Sequence, residues 1–254
     1  MIEVISGIED ARRRMAEIRR QGLAIGLVPT MGALHDGHLS LIERARSGND
    51  RVVTSIFVNP TQYDDPDDLE QYPRTLAADT GRAEAAGADL IFHPEFEDIY
   101  RDDYRFRITE SEFSRELEGA HRKDHFDGVL TVVLKLFNIV QADRAYFGEK
   151  DWQQLLLVRD MAAAFFHRTE IVACPTVREP DGLAMSSRNV HLNQEERRLA
   201  PEFHRTLSSG APTDDMERQL ADLGFVVDYV EQRGDRILGA VRLGRVRLID
   251  NVQT

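Results

Sequence analysis

Apolar runs and helix-spaced patterns alternate through the first two-thirds of the chain. Residues 23–29 (LAIGLVP) predict a buried strand, and residues 38–46 the start of an amphipathic helix. Residues 51–58 (RVVTSIFV) are β-branched and continuous enough for a parallel strand covered on both faces. Residues 74–86 read as a helix stopped by Gly87, and residues 88–93 as the next strand. Residues 126–140 are apolar on nearly every side, which predicts either a central helix or one buried in a subunit contact. Two more strands, 143–147 and 169–173, are separated by a helix over 151–165. Strand and helix repeated in this way predict an α/β domain with a parallel sheet.

The pattern changes near Pro175. Residues 177–188 (VREPDGLAMSSR) are loop-like, 194–206 helical, and 208–215 (SSGAPTDD) a linker. A helix over 216–223 and strands near 225–232 and 246–249 follow, so residues 176–254 predict a second, smaller α+β domain after a first domain of residues 1–175. The first twenty residues carry arginines at helix spacing among acidic residues and predict a solvated helix. They lack a signal peptide's apolar core, and no apolar run reaches the eighteen or so residues that span a bilayer.

Composition sharpens this picture. With 254 residues, 42% hydrophobic and 30% charged, the chain can bury a substantial core. A net charge of −12 argues against a broad nucleic-acid footprint. A polyanion such as ATP would need a local pocket of helix N-termini and a few cations. The single cysteine, Cys174, lies in the apolar stretch TEIVACP and is expected to pack in the core, in keeping with a reducing cytoplasm.

Three segments carry chemistry. In VPTMGALHDGH (28–38), a strand ends, glycine turns the chain and a helix begins. Helix-start N–H groups there would face a phosphate, and His35 and His38, three apart, could both reach it. The same pair could be a partial metal site or a polar helix start. In YFGEKDWQQL (146–155), Lys150 follows a strand end, Asp151 is a plausible helix N-cap, and Gln154 lies one turn on. By itself, a surface lysine and glutamine are the plainer reading. An H-x-G-H after the first strand resembles the nucleotidyltransferase superfamily, whose second basic motif has a counterpart in Met185, Ser186, Ser187 and Arg188. Two hydroxyls and a forked guanidinium suit a phosphate clamp.

Taken together, PTMGALHDGH, SIFVNPTQY, YPRT, HFDGV, YFGEKDWQQL, TVREPDGLAMSSRN and LGRVRLIDN, in this order, resemble the bacterial pantothenate synthetases (pantoate–β-alanine ligases). The resemblance implies a Rossmann-like ATP- and pantoate-binding domain with a smaller C-terminal lid. It implies a ligase of pantothenate biosynthesis: a cytoplasmic, magnesium-dependent homodimer that binds neither nucleic acid nor membrane. It also implies that ATP activates pantoate as an acyl-adenylate, which β-alanine then captures.

Residue by residue, it assigns Met31, Gly32, Ala33, Leu34, His35, Asp36, Gly37 and His38 to the ATP phosphates, with His38 as proton donor. Gly148, Glu149, Lys150 and Asp151 bind ATP, Val177 contacts adenine, and Met185 to Arg188 close on the phosphates. His35, His38 and Lys150 are the implied catalytic groups. Gln62 and Gln154 hold pantoate, Gln62 also lines the β-alanine site, and Asn59 lies nearby. The magnesium ligands are not identified.

Two departures stand out. The segment after Gln62 carries four aspartates (64, 65, 67, 68), expected to be solvated but able to repel pantoate or attract Mg²⁺. The second domain is about thirty residues shorter than such a family member is expected to have. Another adenylyltransferase would explain H-x-G-H but leaves G-E-K-D-x-Q-Q unexplained. A tRNA synthetase is disfavoured by length and charge. A non-catalytic nucleotide binder sits poorly with every matched polar position being filled.

Overall fold

The structure, a computed structural model, describes residues 2–254 and divides into two compact units. One comprises Met1–Gly148 and Gln153–Cys174, the other Glu149–Trp152 and Pro175–Thr254.

The first unit runs β1 (Glu3–Ile5), α1 (Ile8–Arg20), β2 (Ile25–Thr30), α2 (Asp36–Gly48), β3 (Arg51–Ile56), α3 (Pro66–Gln71) and α4 (Leu76–Ala86). It continues with β4 (Leu90–Phe92), α5 (Phe96–Ile99), α6 (Glu118–His121), α7 (His125–Val140), β5 (Arg144–Gly148), α8 (Trp152–Ala164) and β6 (Glu170–Cys174). Its six strands pair in parallel in the order β1-β4-β3-β2-β5-β6. Apart from the edge strand β1, this is a doubly wound order. The chain changes direction between β2 and β5, and in such sheets ligands bind beyond the strand C-termini at that point.

Burial explains why the strands are legible. β2 and β3 are buried on both faces along nearly their whole length, so they lack alternation and read as continuous apolar runs. Helix α7 buries thirteen of its sixteen residues within the single chain. It is therefore a central helix, and no subunit contact is needed to cover it. Gly87 ends α4 in the left-handed conformation, with its N–H bonded to the Ala83 and Glu84 carbonyls. Cys174 is a buried member of the core cluster that includes Val28, Ile42 and Tyr146.

The second unit contains α9 (Gln194–Leu199), α10 (Pro201–Leu207), α11 (Thr213–Asp222) and an antiparallel sheet of β7 (Val226–Arg233), β8 (Arg236–Leu243) and β9 (Val246–Gln253). Its core joins Phe203, Leu207, Met216 and Leu220 to Val230, Val241 and Leu248.

Several expectations need correction. In place of the one helix expected over the first twenty residues, Glu3–Ile5 form a short strand and Ile8–Arg20 a helix, broken at Gly7, which is the helix N-cap. The helix expected over 194–206 is two helices, because Pro201 cannot continue the hydrogen-bond ladder and instead opens α10. Residues 208–215 are only partly linker, since α11 starts within them. β8 was not expected at all. It is the central strand of its sheet, and Gly234 and Gly244, both with positive φ, open two-residue hairpin loops on either side of it.

Candidate active site

In the first unit the segment after β2 is held in shape from below. The Thr30 hydroxyl donates to the Ser55 carbonyl (2.7 Å) and accepts from Gly32 N–H (3.2 Å). Gly32 and Ala33 both have positive φ, a left-handed stretch that reverses the chain. Asp79, on α4 and 2% exposed, accepts from Ala33 N–H (3.0 Å), Leu34 N–H (2.8 Å) and the Thr75 hydroxyl (3.0 Å). Tyr72 donates to the Gly32 carbonyl and Arg82 to the Leu34 carbonyl.

This scaffold delivers the chain into α2, which starts at Asp36, two residues earlier than expected. His35 is thereby the N-cap and His38 the third helical residue. His35 N–H donates to His38 Nδ1 at 3.4 Å, and the two rings lie 4.1 Å apart. With Nδ1 accepting, a neutral His38 carries its proton on Nε2, the tautomer that can donate to a ligand. Among the described residues no three His, Cys, Asp or Glu side chains gather as a metal set, so the zinc alternative for this pair has no third ligand there.

A second loop follows β3. Asn59 is 1% exposed. Its carbonyl oxygen accepts from the Thr61 and Tyr100 hydroxyls at 3.0 and 2.9 Å. Its amide donates to Gln62 Oε1 (3.1 Å) and the Gly128 carbonyl (3.3 Å). Burial pushes the Tyr100 phenol above its ordinary pKa, so it stays a neutral donor. With Gln62 Oε1 turned toward Asn59, its amide nitrogen faces Met31, donating to the sulfur at 3.3 Å. The loop backbone packs directly on α7: a Cβ on Gly128 would lie 2.3 Å from the Thr61 carbonyl oxygen. His125 Nδ1 lies 2.7 Å from the Gln62 carbonyl. The H-F-D-G-V motif thus holds the N-P-T-Q loop in place. Asn59 serves it from behind, its amide committed to Gln62 and to Gly128 of α7.

The aspartates after Gln62 pair with an arginine or sit at a helix start. Asp64 pairs with Arg122 at 3.3 Å, Asp65 caps α3, and Asp67 and Asp68 fall in its first turn, where negative charge is favoured.

Gln153 and Gln154 divide their roles. Gln153 is buried, accepts from Glu118 N–H (3.0 Å) and donates to the Phe113 and Glu116 carbonyls (2.7 and 2.9 Å). Gln154 is half-buried. From sequence, Gln154 carries the expected role and Gln153 none of its own.

In the second unit Glu149–Asp151 form a 3₁₀ turn that runs straight into α8, so Asp151 belongs to that turn as well as preceding the helix. Lys150 Nζ lies 3.7 Å from the Asp151 carboxylate. Residues 177–185 form a tight turn: Arg178 and Ala184 bridge, Glu179 N–H donates to Leu183, and Met185 N–H donates to the Val177 carbonyl at 3.0 Å. Val177 and Met185, far apart in the motif, are therefore direct partners. The Ser186 hydroxyl accepts from Arg188 N–H at 3.2 Å, capping the turn that holds Ser187 and Arg188.

A doubly wound parallel sheet whose β2-to-α2 turn, at the point where the strand order reverses, presents paired histidines defines a nucleotide-binding α/β protein. Comparison with known proteins narrows the class. The family profile described as Pantoate-beta-alanine ligase matches residues 3–253. A pantothenate synthetase of Bdellovibrio bacteriovorus is 54% identical over 235 residues, covering 92% of this chain and 94% of that protein. The Francisella tularensis pantoate-beta-alanine ligase, solved with beta-gamma ATP and beta-alanine, superposes with a TM-score of 0.94 at 39% identity, covering 100% and 98%. The Thermus thermophilus pantothenate synthetase superposes at 0.90 with 40% identity, covering 99% of each chain. The chain belongs to the pantoate-beta-alanine ligase family, and it is a pantothenate-forming enzyme.

Proposed function

We propose that the enzyme condenses pantoate with β-alanine through a pantoyl-adenylate, with MgATP as the activating substrate. A pantoate carboxylate oxygen attacks the α-phosphorus, the bond to the β-phosphate oxygen breaks, and pyrophosphate leaves. The β-alanine amine then attacks the acyl carbon, its proton is lost, and AMP departs from the mixed anhydride. The observation that carries this reading is the His35–His38 pair at the start of α2. The pair puts an Nε2 donor and helix-start N–H groups on one turn, where phosphate charge is stabilised.

The remaining roles follow from the residues' chemistry. Gly32 to Leu34 shape the phosphate-facing turn, and Asp36 and Gly37 lend it helix-start donors. Gln62, its amide orientation set by Asn59, donates to the pantoate carboxylate or hydroxyls. Gln154 does the same. Lys150 offers a point charge, Ser186, Ser187 and Arg188 hydroxyl and guanidinium donors, and Val177 an apolar contact for adenine. Magnesium enters on the ATP phosphates. Such an ion needs only one or two protein carboxylates, which suits a chain in which the described residues form no metal cluster. The same reading expects a cytoplasmic homodimer.

Pyrophosphate exchange into ATP tests it. Exchange should require pantoate and no β-alanine. Exchange without pantoate, or none with it, overturns the reading.

A further inference from the structure

The terminal motif R-L-I-D-N has no part in the reaction just described, yet it holds two of the nucleotide segments. Asp250 and Asn251 are adjacent on β9, and each is 4% exposed. Neighbouring side chains on a strand leave by opposite faces, so the pair reaches two different parts of the second unit.

Asp250 takes a forked contact from Arg178, at 2.6 and 3.0 Å, and His204 Nδ1 lies 3.2 Å from the same carboxylate. Arg178 also donates to the Gly182 and Asn251 carbonyls. It thus anchors the outgoing limb of the 177–185 turn, whose Pro180 is exposed and whose Glu179 and Asp181 are only half-buried. Leu183 and Ala184 bury the return limb of that turn in the unit's core, and Arg197 pairs with Glu179 and Asp181 at its tip. On the outgoing limb, where Val177 stands, the forked ion pair of Arg178 sets the position.

Asn251 works on the other side. Its amide donates to the Glu149 carbonyl (2.8 Å) and the Lys150 carbonyl (3.0 Å), and its oxygen accepts from Arg236 (2.7 Å). Arg236 completes the grip, pairing with Glu149 at 2.9 Å and lying 3.8 Å over the Trp152 ring. The backbone of Lys150 is therefore tied to β9 at its own carbonyl.

A buried ion pair is weak evidence for stability, because apolar residues would join the same elements as well. Directional bonds to backbone carbonyls instead set position. We propose that Asp250 and Asn251 form a two-sided positioning clamp, Asn251 setting the backbone of Lys150 and Asp250, through Arg178, setting the Val177–Met185 turn. This rests on the reading of Lys150 and residues 177–188 as ATP-binding.

The test is steady-state kinetics with ATP varied, on Asn251→Asp, Asp250→Asn, Lys150→Ala and the Lys150→Ala/Asn251→Asp double variant. Asn251→Asp keeps the acceptor for Arg236 but replaces the donor to both carbonyls. Displacing a charge-stabilising group should lower kcat/KM for ATP by on the order of 10- to 100-fold, with KM for β-alanine unchanged. The double variant should be no worse than Lys150→Ala, since Asn251 acts through Lys150. Wild-type kcat/KM for ATP in both single clamp variants, or losses that multiply in the double variant, overturn the clamp. So does a uniform fall in kcat with ATP KM unchanged, the mark of a smaller folded fraction. Should Asn251→Asp fail to fold, Asp250→Asn decides by the same readout. A Lys150→Ala enzyme with wild-type ATP kinetics would instead sink the ATP assignment, and the clamp with it.

Discussion

Asp79 accepts the Leu34 N–H at 2.8 Å across forty-five residues of sequence, and with its second oxygen takes the neighbouring Ala33 N–H. One buried carboxylate on α4 thus fixes the left-handed turn that sets where α2 begins. Asp79→Ala would leave the buried Leu34 N–H without an acceptor, at about 1–3 kcal/mol, and the half-buried Ala33 N–H at less. Urea unfolding should show a loss of that order, and pantoate-dependent pyrophosphate exchange should fall as the histidines shift. Asp79→Asn, which keeps one acceptor oxygen, is expected to lie between. Unchanged stability in Asp79→Ala would show that the turn holds itself.

His38→Ala removes the donor proposed to face the phosphates, and losing one such group usually costs on the order of 10²–10³ in rate. Single-turnover adenylation, followed by rapid quench, should fall by that factor while the fold is retained. A near-wild-type rate would remove His38 from the mechanism.

Gly128→Ala tests the support of the N-P-T-Q loop. The added carbon would meet Thr61 and Gln62 backbone atoms at 2.3 to 2.7 Å, and backbone cannot rotate away as a side chain can. Overpacking of this kind costs about 1–3 kcal/mol. Because the strain falls on the loop that carries Gln62, KM for pantoate should rise more than KM for ATP. Equal effects on both would assign Gly128 to general packing.

The pH dependence of stability should carry the mark of Asp250. Burial opposes its ionisation, but the neighbouring His204 and the forked hydrogen bonds and charge of Arg178 hold the carboxyl below its ordinary value of 3.8. A depressed folded pKa contributes stability above the unfolded value and loses it as pH falls through the folded one. Urea midpoints should therefore be flat from neutrality to about pH 5 and drop below it. Asp228, held low by Arg247 and Arg242 against the opposing effect of burial, adds in the same direction. Asp250→Asn should lower the plateau and flatten the acid limb. An acid limb identical to wild type would mean that other carboxylates govern it.

Much of the frame is legible in local pattern. Strands β2 and β3, Gly87 as a helix stop, and the apolar helix α7 are each readable within a window of some fifteen residues, because burial on both faces or on all sides leaves its mark there. The H-x-G-H and M-S-S-R segments are legible for a similar reason, since the groups proposed to meet a phosphate lie close together in the chain. β8 escaped because Gly234, Gly239 and Gly244 punctuate a stretch whose burial comes from β7, β9 and α10. The start of α2 was misplaced because it is set by Asp79, outside any local window.

By itself, then, the sequence determined the alternating α/β frame, the type of chemistry and most of the groups that could carry it. All of these are written in short-range order. Only the tertiary structure decided which groups hold the others still: Asp79 for the turn into α2, Asn59 and Gly128 for Gln62, Asp250 and Asn251 for Val177 and Lys150. Those partners stand from 3 to 102 residues apart. A hydrogen bond needs only that its two ends meet in space, and chain separation leaves no periodic trace by which to find them.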